Sequence, residues 1–144
     1  MANLEGGAVG DPALAIGMDG LPVISYGKFE RTTVTKVVKC GDLACSSGNV
    51  TTIVDPTTNG EQVLEVLPDG RPVLFQSIGH VAKMARCGNP SCSAGNKVIV
   101  LAGLGYPIPA MSMDLVNGLP LIAGQATNGS GQILTFACKN PGCD

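Results

Sequence analysis

The phrase DGLPVISY (19–26) returns as DGRPVLFQ (69–76) and again as NGLPLIAG (117–124), at spacings of 50 and 48 residues. A phrase that recurs at a near-constant period marks a repeat architecture, in which each copy is one supersecondary unit. A second phrase keeps step with the first. Each copy is followed by a C-x4-C pair: Cys40 with Cys45, Cys87 with Cys92, and Cys138 with Cys143. The chain of 144 residues therefore reads as a single repeat domain of three units, approximately 1–55, 56–103 and 104–144.

Within a unit, short apolar segments rich in Val and Ile alternate with turn signals, which is the pattern of strands. Strands are expected at 13–18, 22–26, 34–40 and 50–55 in the first unit, and at 62–67, 72–77, 80–87 and 97–102 in the second. The third unit offers only 110–116, 119–123 and 132–138. Asp19-Gly20, Asp69-Gly70 and Asn117-Gly118 read as two-residue type I′ hairpin turns, whose central residues both need positive φ. Pro22, Pro72 and Pro120 follow where a strand begins and a missing N–H is tolerated. The runs behind them, VIS, VLF and LIA, are apolar on both faces, as in strands packed between two layers.

The sequences between the paired cysteines, GDLA, GNPS and KNPG, all favour turns. Such a turn lets each pair close a small disulfide loop, worth about 2 kcal/mol on the loop-entropy account. Metal binding and free thiols are the competing readings, but a zinc knuckle uses the tighter C-x2-C clip. Disulfides imply an oxidising compartment, or a hyperthermophile's cytosol, and the expected location is extracellular or at the cell surface.

Four antiparallel strands in about 48 residues, repeated, describe a β-propeller blade rather than an immunoglobulin-like sandwich. The expected fold is all-β: three tandem four-stranded antiparallel propeller-like blades, the last one strand short, closed or extended by other copies. DGLPVISY followed by VTKVVKCGDLAC resembles the tandem blade repeats of large secreted bacterial and archaeal propeller-like proteins. That likeness implies a blade and not an activity, since propellers host enzymes, binders and scaffolds. The third unit departs from the pattern. Asn117 replaces Asp, Leu134 stands for Lys36 and Lys83, and Ala137 stands for Lys39 and Arg86.

Several functions are disfavoured by composition. The net charge is -2 and the nine Lys and Arg are scattered, which gives no field for nucleic acid. With no Trp, two Tyr and three Phe, stacking platforms for bases and sugars are scarce. The longest apolar run, VIVLAGL (98–104), falls far short of the roughly 20 residues of a membrane span. No secretory signal is visible at MANLEGGAVG, so a leader would have been removed or the chain is an excerpt.

No constellation of catalytic or cofactor-binding residues emerges, and no cofactor is expected. A sialidase-like glycosidase would draw on Arg31, Arg71, Arg86, Tyr26 and Tyr106, but only the residue types match. Asp19 and Asp69 are explained as turn residues. His80, the single histidine, has no evident nucleophile or acid to work with. Isolated Asp-Gly pairs do not make a calcium loop. Asn49-Val-Thr51 and Asn128-Gly-Ser130 match glycan acceptors, a short pattern that arises readily by chance.

Only 14% of residues are charged, against about 25% in typical domains. Three blades are also too few to close a propeller, which leaves apolar end faces to be covered. Aligning the units places the N-terminal residues, with Ala2, Asn3, Leu4 and Glu5, on the close of a preceding fourth strand, and the third unit is short of one. Residues 2–5 are therefore the expected assembly strand, completing the last blade of another copy in a ring or a filament. The sequence points to a non-enzymatic, self-assembling structural subunit whose partners are copies of itself. A glycan- or protein-binding propeller module and a glycosidase are the alternatives.

Overall fold

A computed structural model of the chain describes residues 2–29, 32–57, 60–103, 107–127, 131–141 and 143. Every regular element among them is a strand. Eleven strands form three antiparallel sheets of four, four and three, each a meander in chain order. The first sheet holds β1 (Val9–Ile16), β2 (Pro22–Phe29), β3 (Thr33–Lys39) and β4 (Val50–Asp55). The second holds β5 (Glu61–Val66), β6 (Pro72–Ile78), β7 (Val81–Arg86) and β8 (Lys97–Gly103). The third holds β9 (Ala110–Val116), β10 (Leu119–Gln125) and β11 (Ile133–Ala137).

All eleven expected strands are present, β4 and β9 with the expected ends and the others with an end shifted. β1 starts at Val9 because a bulge between Gly10 and Ala13, with Asp11 at φ 52°, lets the strand continue upstream. β7 starts at Val81 because Gly79, at φ 56°, and His80 form the hairpin turn that pairs Ile78 with Val81. The expected type I′ turn occurs once, at Asn117 (φ 54°) and Gly118 (φ 76°). In the first two units only the glycine is left-handed, Gly20 at φ 77° and Gly70 at φ 82°. There the loop is one residue longer. Gly20 N–H donates to the Gly17 carbonyl and Gly70 N–H to that of Leu67, both at 2.8 Å, forming a type I turn closed by a left-handed glycine. Asp19 and Asp69 help from the side, each accepting a backbone N–H at 3.1 Å, from Leu21 and Arg71.

The sheets stack face on face, and their facing residues make two cores. Val23, Val37 and Val54 of the first sheet meet Leu64, Val66, Leu74 and Ala85 of the second. On its opposite face the second sheet presents Val73, Phe75, Ala82 and Met84 to Met113 and Ile122 of the third. Phe75 and Phe136 lie with ring centroids 5.3 Å apart across this second core. A buried hydrogen bond ties the first two sheets, with the Gln76 amide donating to Thr35 Oγ1 at 2.6 Å.

β6 is buried on both faces, as its uninterrupted apolar run predicts. β10 corrects the same expectation for LIA. It alternates between buried and open positions because a sheet covers only one of its sides.

Candidate assembly faces

The residues before β1 fold onto the outer face of the first sheet. Leu4 packs there, together with Ile24, against a cluster of Tyr26, Val38, Cys40 and Cys45. Glu5 then takes a hydrogen bond from the Tyr26 hydroxyl at 2.7 Å and another from Lys36 Nζ at 2.9 Å, both on Oε2. Lys28 Nζ lies 3.6 Å from Oε1 and donates to the Gly6 carbonyl. Ala2, Asn3, Leu4 and Glu5, the expected assembly strand, are in no strand of the single chain.

Their position repeats one found inside the molecule. Val54 lies in the core between the first and second sheets, and Asp55 beside it accepts from Lys83 Nζ at 3.4 Å. Glu5 precedes Asp19 by the same fourteen residues that separate Asp55 from Asp69, and Lys36 and Lys83 each stand four before a cysteine. Leu4 and Glu5 thus occupy on the first sheet the place that Val54 and Asp55 occupy on the second. The N-terminal segment sits as the end of a neighbouring sheet would sit.

Electrostatics hold it there. Hydrogen bonds from Lys36 and then Tyr26 pull the Glu5 carboxyl below its ordinary value, while burial and then the Glu5 carboxylate push the Tyr26 phenol up. A carboxyl with a depressed folded pKa stabilises the docked segment above its unfolded pKa, and that stabilisation is lost as pH falls through the folded value. The segment is therefore expected to be held at neutral pH and released in acid, below about pH 4. Backbone NMR relaxation of residues 4–6 checks this. Their order parameters should fall toward those of a free chain end in acid, and Glu5→Gln should show the lowered values already at pH 7. Unchanged order in Glu5→Gln would mean that Leu4 packing alone fixes the segment.

The opposite end of the stack is the uncovered face of the third sheet. Leu121, Ile133 and Val116 are 36%, 67% and 51% exposed there, with Ser112, Asp114, Thr135 and Ala137 between them. By register, Leu121 corresponds to Val23 and Val73, which are 1% and 0% exposed because another sheet covers them. Among the described residues, β11 has β10 on one side only. In the other two sheets β4 and β8 cover the corresponding edge.

The turn ends carry the other charged groups. Lys39 Nζ donates to Asp19 Oδ1 at 2.7 Å, while Asp69 receives Arg71 and lies 3.7 Å from Arg86. Both carboxyls are held below the usual range, Asp19 chiefly by the Lys39 bond and Asp69 chiefly by that of Arg71. An open cleft of about 350 Å³ lies between these turns, lined by Met18, Pro68 and Pro90 among others. Of the residues considered for a glycosidase, Arg71 and Arg86 meet on Asp69, whereas Tyr26 is engaged by Glu5 on the outer face of the first sheet. Arg31 and Tyr106 lie outside the described residues. His80 is exposed in its turn.

The cysteine loops are the third repeated feature. Cys40–Cys45, Cys87–Cys92 and Cys138–Cys143 are disulfides with Cα atoms 4.8, 4.7 and 4.8 Å apart. No thiol is free for a metal, and no group of three potential ligands occurs among the described residues. In the first loop Asp42 accepts the Ser46 amide and the Ser46 and Ser47 hydroxyls, which hold its carboxyl far below its ordinary value. Asn49 accepts Gly41 N–H at 3.1 Å and donates to the Cys45 carbonyl at 2.8 Å, and Asn96 does the same for Gly88 and Cys92. The side chain considered as a glycan acceptor is thus a loop clamp. Asn128 and Ser130 lie outside the described residues.

No family model and no curated protein matches the chain. No helix among the described residues is long and apolar enough to cross a membrane.

The cluster of Glu5, Tyr26, Lys28 and Lys36 is what the sequence reading missed. Its signal was available in the matched positions of the two acids and two lysines.

Proposed function

We propose that the chain is a non-enzymatic structural subunit whose three sheets are propeller-like blades, and that copies stack head to tail into a ring or a filament. The observation that carries this reading is the outer face of the first sheet, where Leu4 and Glu5 repeat the contacts that Val54 and Asp55 make with the second sheet. A face on which the chain's own Leu4 and Glu5 sit as the end of a neighbouring sheet would is shaped for the rest of that sheet. The uncovered face of the third sheet supplies that neighbour from another copy. Such a contact is heterologous, so it yields a ring when the rotation closes and a fibre when it does not. Three disulfides and low charge suit a durable assembly in an oxidising, extracellular setting.

Sedimentation velocity tests the contact. The unmodified chain should sediment as multiples of 14.6 kDa. Leu121→Asp should drive it to the single chain, because a carboxylate buried in the contact without a partner weakens association by roughly a hundredfold or more. Val100→Asp, 63% exposed on β8 of the second sheet, which lies between the other two, should leave assembly unchanged. Equal assembly in the unmodified chain and Leu121→Asp would remove the third sheet from the contact.

A further inference from the structure

The geometry points to a defined strand exchange at this contact: residues 2–5 of one copy pair with the open edge of β11 in the next. The inference rests on the stacking reading and names its joining element. Its basis is a bulge repeated inside the chain. In the first sheet Thr35 pairs with Asp55 and Lys36 with Ile53, which leaves Val54 as the extra residue. In the second sheet Ala82 pairs with Ala102 and Lys83 with Val100, which leaves Leu101. A bulge of this kind turns its side chain out of the ladder. Both extra residues then point into the core against the following sheet, Val54 in the first core and Leu101 against the second.

Leu4 holds the same station against the outer face of the first sheet. It is a bulge residue already seated in its core, with Glu5 locked on Lys36 as Asp55 is on Lys83. What it lacks in the single chain is a ladder to bulge from. β11 is a strand with one ladder unfilled.

The intrachain register fixes how they join. β11 replaces β3, so Glu5 should lie opposite Ile133, Asn3 opposite Leu134 and Ala2 opposite Thr135, with Leu4 bulged toward its own first sheet. The donor does not have to leave its place. It stays latched to Lys36 while its outer backbone accepts the neighbour, so little further ordering is needed on association. The exchange also satisfies the backbone groups that an open strand edge leaves unpaired.

Hydrogen exchange on the assembled, unmodified chain tests the exchange, with Leu121→Asp as the single-chain reference and Ala2→Pro/Asn3→Pro as the disrupting variant. Proline removes the backbone donors of residues 2 and 3 and leaves Leu4 and Glu5 in place. The double variant lies outside every sheet, and an unchanged circular dichroism spectrum and urea midpoint verify its fold. The β11 amides should exchange at least tenfold more slowly in the assembly than in the reference, and the proline variant should lose that protection. Assemblies whose β11 amides exchange as fast as the reference would overturn the strand exchange and leave face stacking standing. An unmodified chain that never assembles would overturn both.

Discussion

Phe75→Ala is expected to lower the free energy of unfolding by about 3–5 kcal/mol, the cost of emptying a large buried aromatic site. Phe75 is fully buried, lies on the face of the second sheet that meets the third, and packs against the Phe136 ring. Its removal opens a cavity between two sheets that are each paired within themselves, so neither can collapse far to fill it. A domain with a total stability of roughly 5–15 kcal/mol then loses much of its margin. Phe29→Ala, at a side chain 44% exposed, should cost far less. Urea titrations of the two variants give the comparison. A loss below about 1 kcal/mol for Phe75→Ala would mean that the second and third sheets are not packed as described.

Reduction of the three disulfides should have a comparable effect by a different route. Each closes a loop across five positions, and the chain-entropy account gives about 2 kcal/mol per loop, or roughly 6 kcal/mol together. The bonds should also differ in accessibility. Cys87 and Cys92 are buried in the core between the first and second sheets, whereas Cys138 and Cys143 are only partly buried. Alkylation under graded reductant should therefore label the third pair first and the second last. A reduced chain that unfolds at the same urea concentration as the oxidised one would contradict this account of the loops.

The strands and the disulfides were legible because their signals are local. An apolar run bounded by turn residues specifies a strand, and a cysteine pair around a turn specifies its own bond. The turns were legible only in part. Asn117-Gly118 takes the two-residue form, while Asp19-Gly20 and Asp69-Gly70 belong to loops one residue longer, a difference set by where the strands begin to pair. β10 looked buried on both faces because hydrophobicity alone does not say whether a neighbour is present. The docking of Glu5 was not legible from local sequence, since its partners Tyr26 and Lys36 stand 21 and 31 residues away. Only the repeat itself, by setting Glu5 beside Asp55 and Lys36 beside Lys83, carries that information.

A small-angle X-ray scattering concentration series on the unmodified, oxidised chain tests self-assembly through the two end faces. The forward-scattering mass should be a multiple of 14.6 kDa, with the sheets of successive copies continuing one stack. Stacked sheet faces repeat at about 10 Å, so the largest dimension should grow with the number of copies if a filament forms and stop growing if a ring closes. A mass of 14.6 kDa at every concentration would contradict it.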